Sequence, residues 1–234
     1  WLNKRQQISD WQLWVKKTPS LPLPHLMKQD ILKSYAIEYK LSILVETGTY
    51  KGERVDALYD YFKEIYSIEL SETYSKRARM YFQWRKKVKI IQGDSGNVIE
   101  GLIHEIKQPA LFWLDGHYSA DDTAKGEKST PVLKELKHIL SAEDLHHIIL
   151  VDDARAFGKA EDYPSLDELK DFVLSLRKNV EIINKDAELK NGNKEKMLDL
   201  IETKILPHFN FSRMTQLAMG QHWTKAAPEQ QTKL

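Results

Sequence analysis

Acidic side chains follow several short apolar runs in this 234-residue chain. Such runs are typical of buried strands, and Glu46, Glu69 and Asp94 each lie at or beside the end of one. Glu46 heads a glycine turn, Glu-x-Gly-x-x-x-Gly, in which Gly48 permits close approach of the backbone to a ligand. The acid favours a ligand with a cationic amino group over a pyrophosphate. A plain glycine turn between strand and helix is the competing interpretation.

The next two acids are placed to hold a nucleoside. Glu69 lies about twenty residues after the glycine turn, where a carboxylate can accept hydrogen bonds from both hydroxyls of a ribose. Asp94, followed by Ser95, could hold an adenine amino group. A helix cap at Glu69 and an Asx turn at Asp94 are the alternatives. Any one of these acids at a strand end could be a coincidence. Three acids, each at the end of its own strand, support a ligand-binding site more strongly.

A second group of acids follows the later strands. Asp115 ends one apolar run, and Asp152 and Asp153 end the next. Clustered carboxylates raise one another's pKa unless a cation compensates, and Mg²⁺, Mn²⁺ or Ca²⁺ takes such oxygen ligands. Capping of the following turn is the alternative for the last two acids. His117 could be a base, a metal ligand or a loop histidine.

These residues are positioned by strands that alternate with helical segments from residue 41 onward. This rhythm predicts a Rossmann-like α/β fold. We expect a doubly wound, mostly parallel sheet of seven strands with helices on both faces. Residues 1–40 contain three prolines and lack the rhythm, so we expect an N-terminal helical cap before a main domain over 41–234. The predicted strands are Leu41–Glu46, Ile65–Leu70, Val88–Gln92, Ala110–Leu114, Ile148–Val151 and, more weakly, 180–183 and 211–219.

Composition excludes several classes of protein. The chain has 35 Lys and Arg against 34 Asp and Glu, a net charge of +1, which is not typical of a dedicated nucleic-acid binder. It has no cysteine, so disulfides, thiolate metal sites and cysteine nucleophiles are excluded. No apolar run is long enough for a membrane span. The sequence starts without Met or an apolar signal core, so we interpret it as trimmed, which leaves an upstream targeting segment open. The lack of cysteine fits a reducing compartment, and we expect a cytoplasmic protein that could form a homo-oligomer.

A basic run over Lys76–Lys89 has seven Lys and Arg and no acid, with aromatic residues between them. A nucleic-acid patch is one interpretation. A helix with a solvated basic face and a buried aromatic face is the simpler one.

The segments around the acids resemble class I S-adenosylmethionine-dependent methyltransferases. The likeness is closer to the metal-dependent O-methyltransferases of the macrolide-sugar type and, more distantly, to the catechol and caffeoyl-CoA types. It covers about residues 41–175 and rests on Val45–Gly52, Tyr66–Leu70, Gly93–Ser95 and Trp113–Tyr118.

This resemblance implies an enzyme that binds S-adenosylmethionine in the domain over 41–234. It also implies Mg²⁺ bound by Asp115, Asp152 and Asp153, where the ion would hold two oxygens of a small diol-bearing acceptor, a sugar or natural product, and acidify the attacked hydroxyl. The implied cofactor contacts are Glu46, Thr47, Gly48, Thr49, Tyr50, Gly52, Glu69, Asp94, Ser95 and Asp115.

The catalytic base departs from the family pattern. The catechol type has a lysine three residues after the first metal Asp, and here that residue is Tyr118. We therefore predict His117 as the base, acting beside Asp115, with Lys125 as the second candidate.

Two other functions remain open. One is a metal-independent N- or O-methyltransferase on the same fold. The other is a non-catalytic protein of this fold whose basic helix contacts nucleic acid or a protein partner. For the Mg²⁺-dependent O-methyltransferase that the resemblance implies, we expect a hydroxylated small molecule as partner and no nucleic acid.

Overall fold

The computed structural model describes residues 25–116, 130–152, 156–159 and 163–182. Residues 35–183 belong to one compact unit. The predicted boundary between a cap over 1–40 and the main domain stays a prediction. No helix in the described ranges is both long and apolar enough to cross a membrane.

A parallel sheet forms the centre of this unit. Within the described ranges it has five strands in the order β3-β2-β1-β4-β5. Every residue of β1 and of β4 is buried, as expected for central strands covered on both faces. The strands are β1 (Ile43–Thr47), β2 (Glu64–Glu69), β3 (Val88–Gln92), β4 (Ala110–Leu114) and β5 (Ile148–Val151).

Helices connect the strands and supply both layers of the core. One sheet face, with Val45 and Phe112, packs in a cluster with Ile99 and Leu136 from two helices. Capping residues begin two other helices: Ser71 accepts from the Tyr74 amide, and Ser165 forms a capping box. The helices are α1 (His25–Glu38), α2 (Glu53–Leu58), α3 (Glu72–Phe82), α4 (Ser95–Leu102), α5 (Val132–Ser141) and α6 (Leu166–Leu176), with a 3-10 turn at Tyr59–Tyr61.

The order of the strands creates a switch point between β1 and β4. The chain starts at β1, continues outward through β2 and β3, and then returns to the other side of β1 as β4. Connections therefore leave in opposite directions at this point, which is where doubly wound sheets form a ligand-binding crevice at the carboxyl ends of their strands. All four strand pairings are parallel, so these ends share one edge of the sheet.

The prediction of seven strands is corrected to five in the described ranges. Residues 180–182 form no strand although Val180 and Ile182 favour one by type. Ile182 is 41% exposed, and Arg177 instead ties the end of α6 to the carbonyls of Leu140 and Ala142 at 2.9 and 2.7 Å. The seventh strand, predicted over 211–219, lies outside the described residues.

The aromatic residues of the basic run are placed differently from our simpler interpretation. Phe82 is buried, but Tyr81 is 61% and Trp84 is 85% exposed. The predicted buried aromatic face is therefore wrong for two of its three residues. The Tyr81 ring contacts a cation instead, since the Arg85 guanidinium lies 5.7 Å from its centroid.

Candidate functional site

Glu46, the residue before the last of β1, is a fully buried carboxyl. The Ser67 hydroxyl on the neighbouring strand donates to Glu46 Oε1 at 2.6 Å, and Arg54 Nη1 donates to Oε2 at 3.4 Å. Burial raises the pKa of Glu46, against the opposing attraction of Arg54. Glu46 has no exposed surface, and both of its carboxyl oxygens are bonded by these two side chains. Its predicted contact with the cofactor stays a prediction.

Arg54 of α2 joins the ends of β1 and β4. Its Nη2 donates to Asp115 Oδ2 at 2.6 Å, and its guanidinium lies 5.0 Å from the Trp113 ring centroid. Burial alone lowers the pKa of Arg54, but the charges of Glu46 and Asp115 outweigh it and raise that pKa. The guanidinium therefore stays charged and shares its positive charge between two carboxylates.

Asp115 is held from three directions. Besides Arg54, the Trp113 indole Nε1 donates to Asp115 Oδ2 at 3.3 Å. The Asp115 backbone amide donates to Thr47 Oγ1 at 3.0 Å. These bonds fix the first residue after β4 against the last residue of β1, at the switch point.

The glycine turn between β1 and α2 needs its glycines. Gly48 has a φ of +86°, and a Cβ there would lie 2.9 Å from the Asp115 carbonyl oxygen. Gly52 has a φ of +75°, and a Cβ there would lie 2.8 Å from a ring carbon of Phe82. Thr49 between them is buried, and the partly exposed Tyr50 ring packs 4.9 Å from that of Tyr74. The turn thus packs its backbone against β4 and α3.

Glu69, the last residue of β2, is clamped by backbone amides. The Tyr50 N–H donates to Glu69 Oε2 at 2.7 Å, and the Ser71 N–H donates to Oε1 at 2.8 Å. The side chain is 7% exposed and lies beside the glycine turn. Each carboxylate oxygen can accept a second hydrogen bond, so a fixed acceptor pair remains for two vicinal hydroxyls.

Asp94 caps α4. Its Oδ1 accepts from the Asn97 amide at 3.2 Å, which is the Asx-type alternative considered from the sequence. Ser95 is nearly buried in the first turn of the helix. The Gly93 amide donates to the Glu69 carbonyl at 2.9 Å, so this turn lies next to the end of β2. The predicted adenine contact of Asp94 and Ser95 stays a prediction.

Asp115 and Asp152 come to the same edge of the sheet. The Asp152 amide donates to the Leu114 carbonyl at 3.0 Å, and both acids line one small cavity at the ends of β4 and β5. Glu135 of α5 lines it as well, and burial raises the pKa of this carboxyl to about 7. Asp153, His117 and Lys125 lie outside the described residues.

The predicted divalent-metal site stays a prediction, because Asp153 lies outside the described residues. Asp115 Oδ2 accepts from Arg54 and Trp113, so a cationic side chain supplies a positive charge beside this carboxylate. No group of three His, Asp or Glu able to hold an ion occurs within the described ranges. The role of Asp153 as a ligand stays a prediction.

Two residues of this region were missed in the sequence, Arg54 and Glu135. A signal was present for each. Arg54 lies four residues before the buried Leu58, on the same face of α2. Glu135 lies among Val132, Leu136 and Ile139, the buried face of α5. A charged residue on an apolar face needs a buried partner or ligand, and that rule would have indicated both.

Methyltransferases are among the solved structures that the chain is similar to. One is TomG from Streptomyces achromogenes, an O-methyltransferase in tomaymycin synthesis solved with S-adenosylmethionine: 15% identity, 76% of this chain and 74% of that chain covered, TM-score 0.48. Another is Podospora anserina PaMTH1, solved with S-adenosylhomocysteine, at 16% identity, coverage of 81% and 78%, and TM-score 0.41. A third is an rRNA methylase from Streptococcus thermophilus, at 18% identity, with 70% of this chain and 82% of that chain covered and a TM-score of 0.38. Similarity this distant assigns neither a substrate nor a cofactor to this chain.

Sequence comparison adds one match at the C-terminal end. The model of the family described as MlaC protein matches residues 175–234. The match begins where the methyltransferase resemblance ends, and it covers too little of the chain to assign a family to the whole. The search of curated proteins finds no match.

Proposed function

We propose that this chain is an S-adenosylmethionine-dependent methyltransferase, with its cofactor in the crevice at the carboxyl ends of β1, β2 and β4. The observation that carries the proposal is the clamped carboxylate of Glu69. It lies at the end of the strand beside β1, fixed by the amides of Tyr50 and Ser71, where doubly wound sheets bind a ribose diol.

The first turn of α2 favours a nucleoside without phosphates. A pyrophosphate needs a helix N-terminus with free amides and positive potential, but this turn carries Glu53 and Asp56. Two acids there oppose a phosphate and favour a cationic ligand. The turn also lacks the Gly-x-Gly-x-x-Gly pattern of dinucleotide sites. A sulfonium nucleoside therefore fits better than NAD.

The chain's own residues would orient the cofactor and protect it from water. When bound, S-adenosylmethionine supplies an electrophilic methyl group on a positively charged sulfur. Glu69 would accept from the ribose hydroxyls, and the Gly48 turn would let the ligand approach the backbone. Arg54 and Asp115 hold the ends of β1 and β4 together, so the walls of the crevice are preorganised.

Among the functions left open by the sequence, metal-independent transfer is the one we propose. The 2.6 Å ion pair between Arg54 and Asp115 Oδ2 supports this choice, because it competes with coordination of Mg²⁺ by that oxygen. His117 as the base and a hydroxylated acceptor were predicted together with the metal site, and they stay predictions.

The proposal is tested by competition for the crevice. Equilibrium dialysis with labelled S-adenosylmethionine should give saturable binding, with displacement by S-adenosylhomocysteine and none by NAD⁺. No saturable binding, or equal displacement by NAD⁺, would overturn the proposal. Binding without methyl transfer to any acceptor would support the non-catalytic alternative instead.

A further inference from the structure

A small cavity at the ends of β4 and β5 lies beside the proposed cofactor crevice. It has room for about one group of the size of a water molecule. Asp115 joins the two spaces, because its carbonyl lies against the Gly48 turn while the residue also lines the cavity. Polar lining comes from Asp115, Asp152 and Glu135, and aromatic lining from Phe157 and Tyr163.

Glu135 points to a ligand in this cavity. Its side chain is 1% exposed, and its Oε1 has no hydrogen-bond partner among the described residues. Hydroxyls of Ser95 and Thr47 lie near the carboxyl and lower its pKa, but burial outweighs them and raises it. A buried carboxyl oxygen without a partner needs a donor from a ligand or a water molecule.

The charges around the cavity favour a cation. Asp94 and Asp115 both face the Glu135 carboxyl closely enough to raise its pKa, and Asp152 lines the same space. Arg54 is the opposing cation on this side, and it is shared with Glu46. Three carboxyl groups thus line the cavity, and no Lys or Arg of the described residues lines it.

Two aromatic side chains also line the cavity. The rings of Phe157 and Tyr163 pack edge to face with centroids 5.4 Å apart. The face of an aromatic ring attracts an ammonium group. An ammonium group is about as large as a water molecule, so it matches the size of the cavity as well as its charge.

We infer that this cavity binds the amino group of the methyl acceptor, with Glu135 accepting a proton from that nitrogen. This inference rests on the proposed function and names its substrate class, an amine. The ammonium group gives one proton to the Glu135 carboxylate, and the freed lone pair bonds to the cofactor methyl carbon. The carbon–sulfur bond breaks, its electron pair stays on sulfur, and the methylated nitrogen carries the positive charge.

The test compares an amine with the alcohol of the same shape. The wild-type protein, saturated with S-adenosylhomocysteine, is titrated calorimetrically with propylammonium chloride and with 1-propanol. We expect the amine to bind and the alcohol not to bind. In E135Q we expect the affinity for the amine to fall at least about tenfold and that for S-adenosylhomocysteine to be unchanged. E105Q, at an exposed glutamate, is the control and should change neither.

Three results would overturn the inference. The first is equal binding of the amine and the alcohol by the wild-type protein. The second is no binding of the amine by wild type, which indicates a water site only. The third is equal affinity of E135Q and wild type for the amine. If E135Q fails to fold, the comparison of amine and alcohol on wild type decides alone. Failure to bind S-adenosylhomocysteine would reject the proposed function, and titration of the unsaturated protein with the amine would still decide the cavity.

Discussion

Arg54 sets the charge balance where β1 and β4 end. It pairs with Glu46 at 3.4 Å and with Asp115 at 2.6 Å, and all three side chains are at least mostly buried. Burying ions costs free energy, and their mutual attraction offsets that cost only while the set is complete. Removal of the arginine would leave two carboxylates in a poorly solvated place without their counter-ion.

We predict that R54M lowers the free energy of unfolding by about 3–5 kcal/mol. Urea denaturation of wild type and variant measures the change. K76M is the matched control, because Lys76 forms an exposed pair with Glu72, and we expect no measurable change there. An R54M protein as stable as K76M would contradict this account of the buried charges.

Glu135 predicts a pH dependence of stability. Burial raises its pKa from the ordinary 4.5 to about 7 in the folded protein. The folded state thus keeps a proton that the unfolded state loses between these values. This group therefore lowers the free energy of unfolding as pH rises from about 4.5 to about 7, by roughly 3 kcal/mol in all, and adds no further change above that.

The measurement is the difference in unfolding free energy between wild type and E135Q across that pH range. We expect the free energy of unfolding of wild type, relative to that of E135Q, to fall as the pH rises to about 7 and to stay constant above it. Parallel curves for the two proteins would show that Glu135 titrates normally.

At the scale of elements, the glycine turn decides whether the ends of β1 and β4 can meet. We predict that G48A destabilises the protein and weakens binding of S-adenosylhomocysteine, because a Cβ would meet the Asp115 carbonyl at 2.9 Å in a left-handed conformation. G101A is the control. It lies in α4 with open space around it, so alanine should stabilise by about 0.5–1 kcal/mol. Thermal melts and calorimetry compare them, and a G48A protein that behaves like G101A would contradict the role of the turn.

The sequence predicted elements where a local pattern determines them. The apolar runs indicated all five described strands, and the Ser165–Glu168 spacing indicated the capping box that begins α6. The strand over 180–183 was wrong because residue type favours a strand, whereas pairing depends on tertiary contacts such as those of Arg177.

The site was predicted less completely because its contacts are long-range. Acids at strand ends could be placed from the strands alone, and the structure does bring Glu69, Asp115 and Asp152 to one edge of the sheet. Arg54 and Asp115 are 61 residues apart in the chain, and no local pattern pairs them. The positive charge of Arg54 beside Asp115 was therefore missed in the sequence.

For the whole molecule, the ion pair of Arg54 and Asp115 predicts indifference to divalent cations. Melting temperatures measured with MgCl₂ and with EDTA should agree, because Asp115 already has its counter-ion. A rise in Tm with Mg²⁺ that is lost in D115N would contradict this expectation and restore the predicted metal site.

The whole account depends on the strand order β3-β2-β1-β4-β5, which places Glu69 beside the switch-point crevice. The most direct measurement is calorimetric titration of S-adenosylhomocysteine into wild type, E69Q and E64Q. Glu64 lies at the opposite end of the same strand and is exposed. We predict binding to wild type and E64Q with equal Kd, and at least about tenfold weaker binding to E69Q. No binding to wild type, or equal binding by E69Q, would contradict the account.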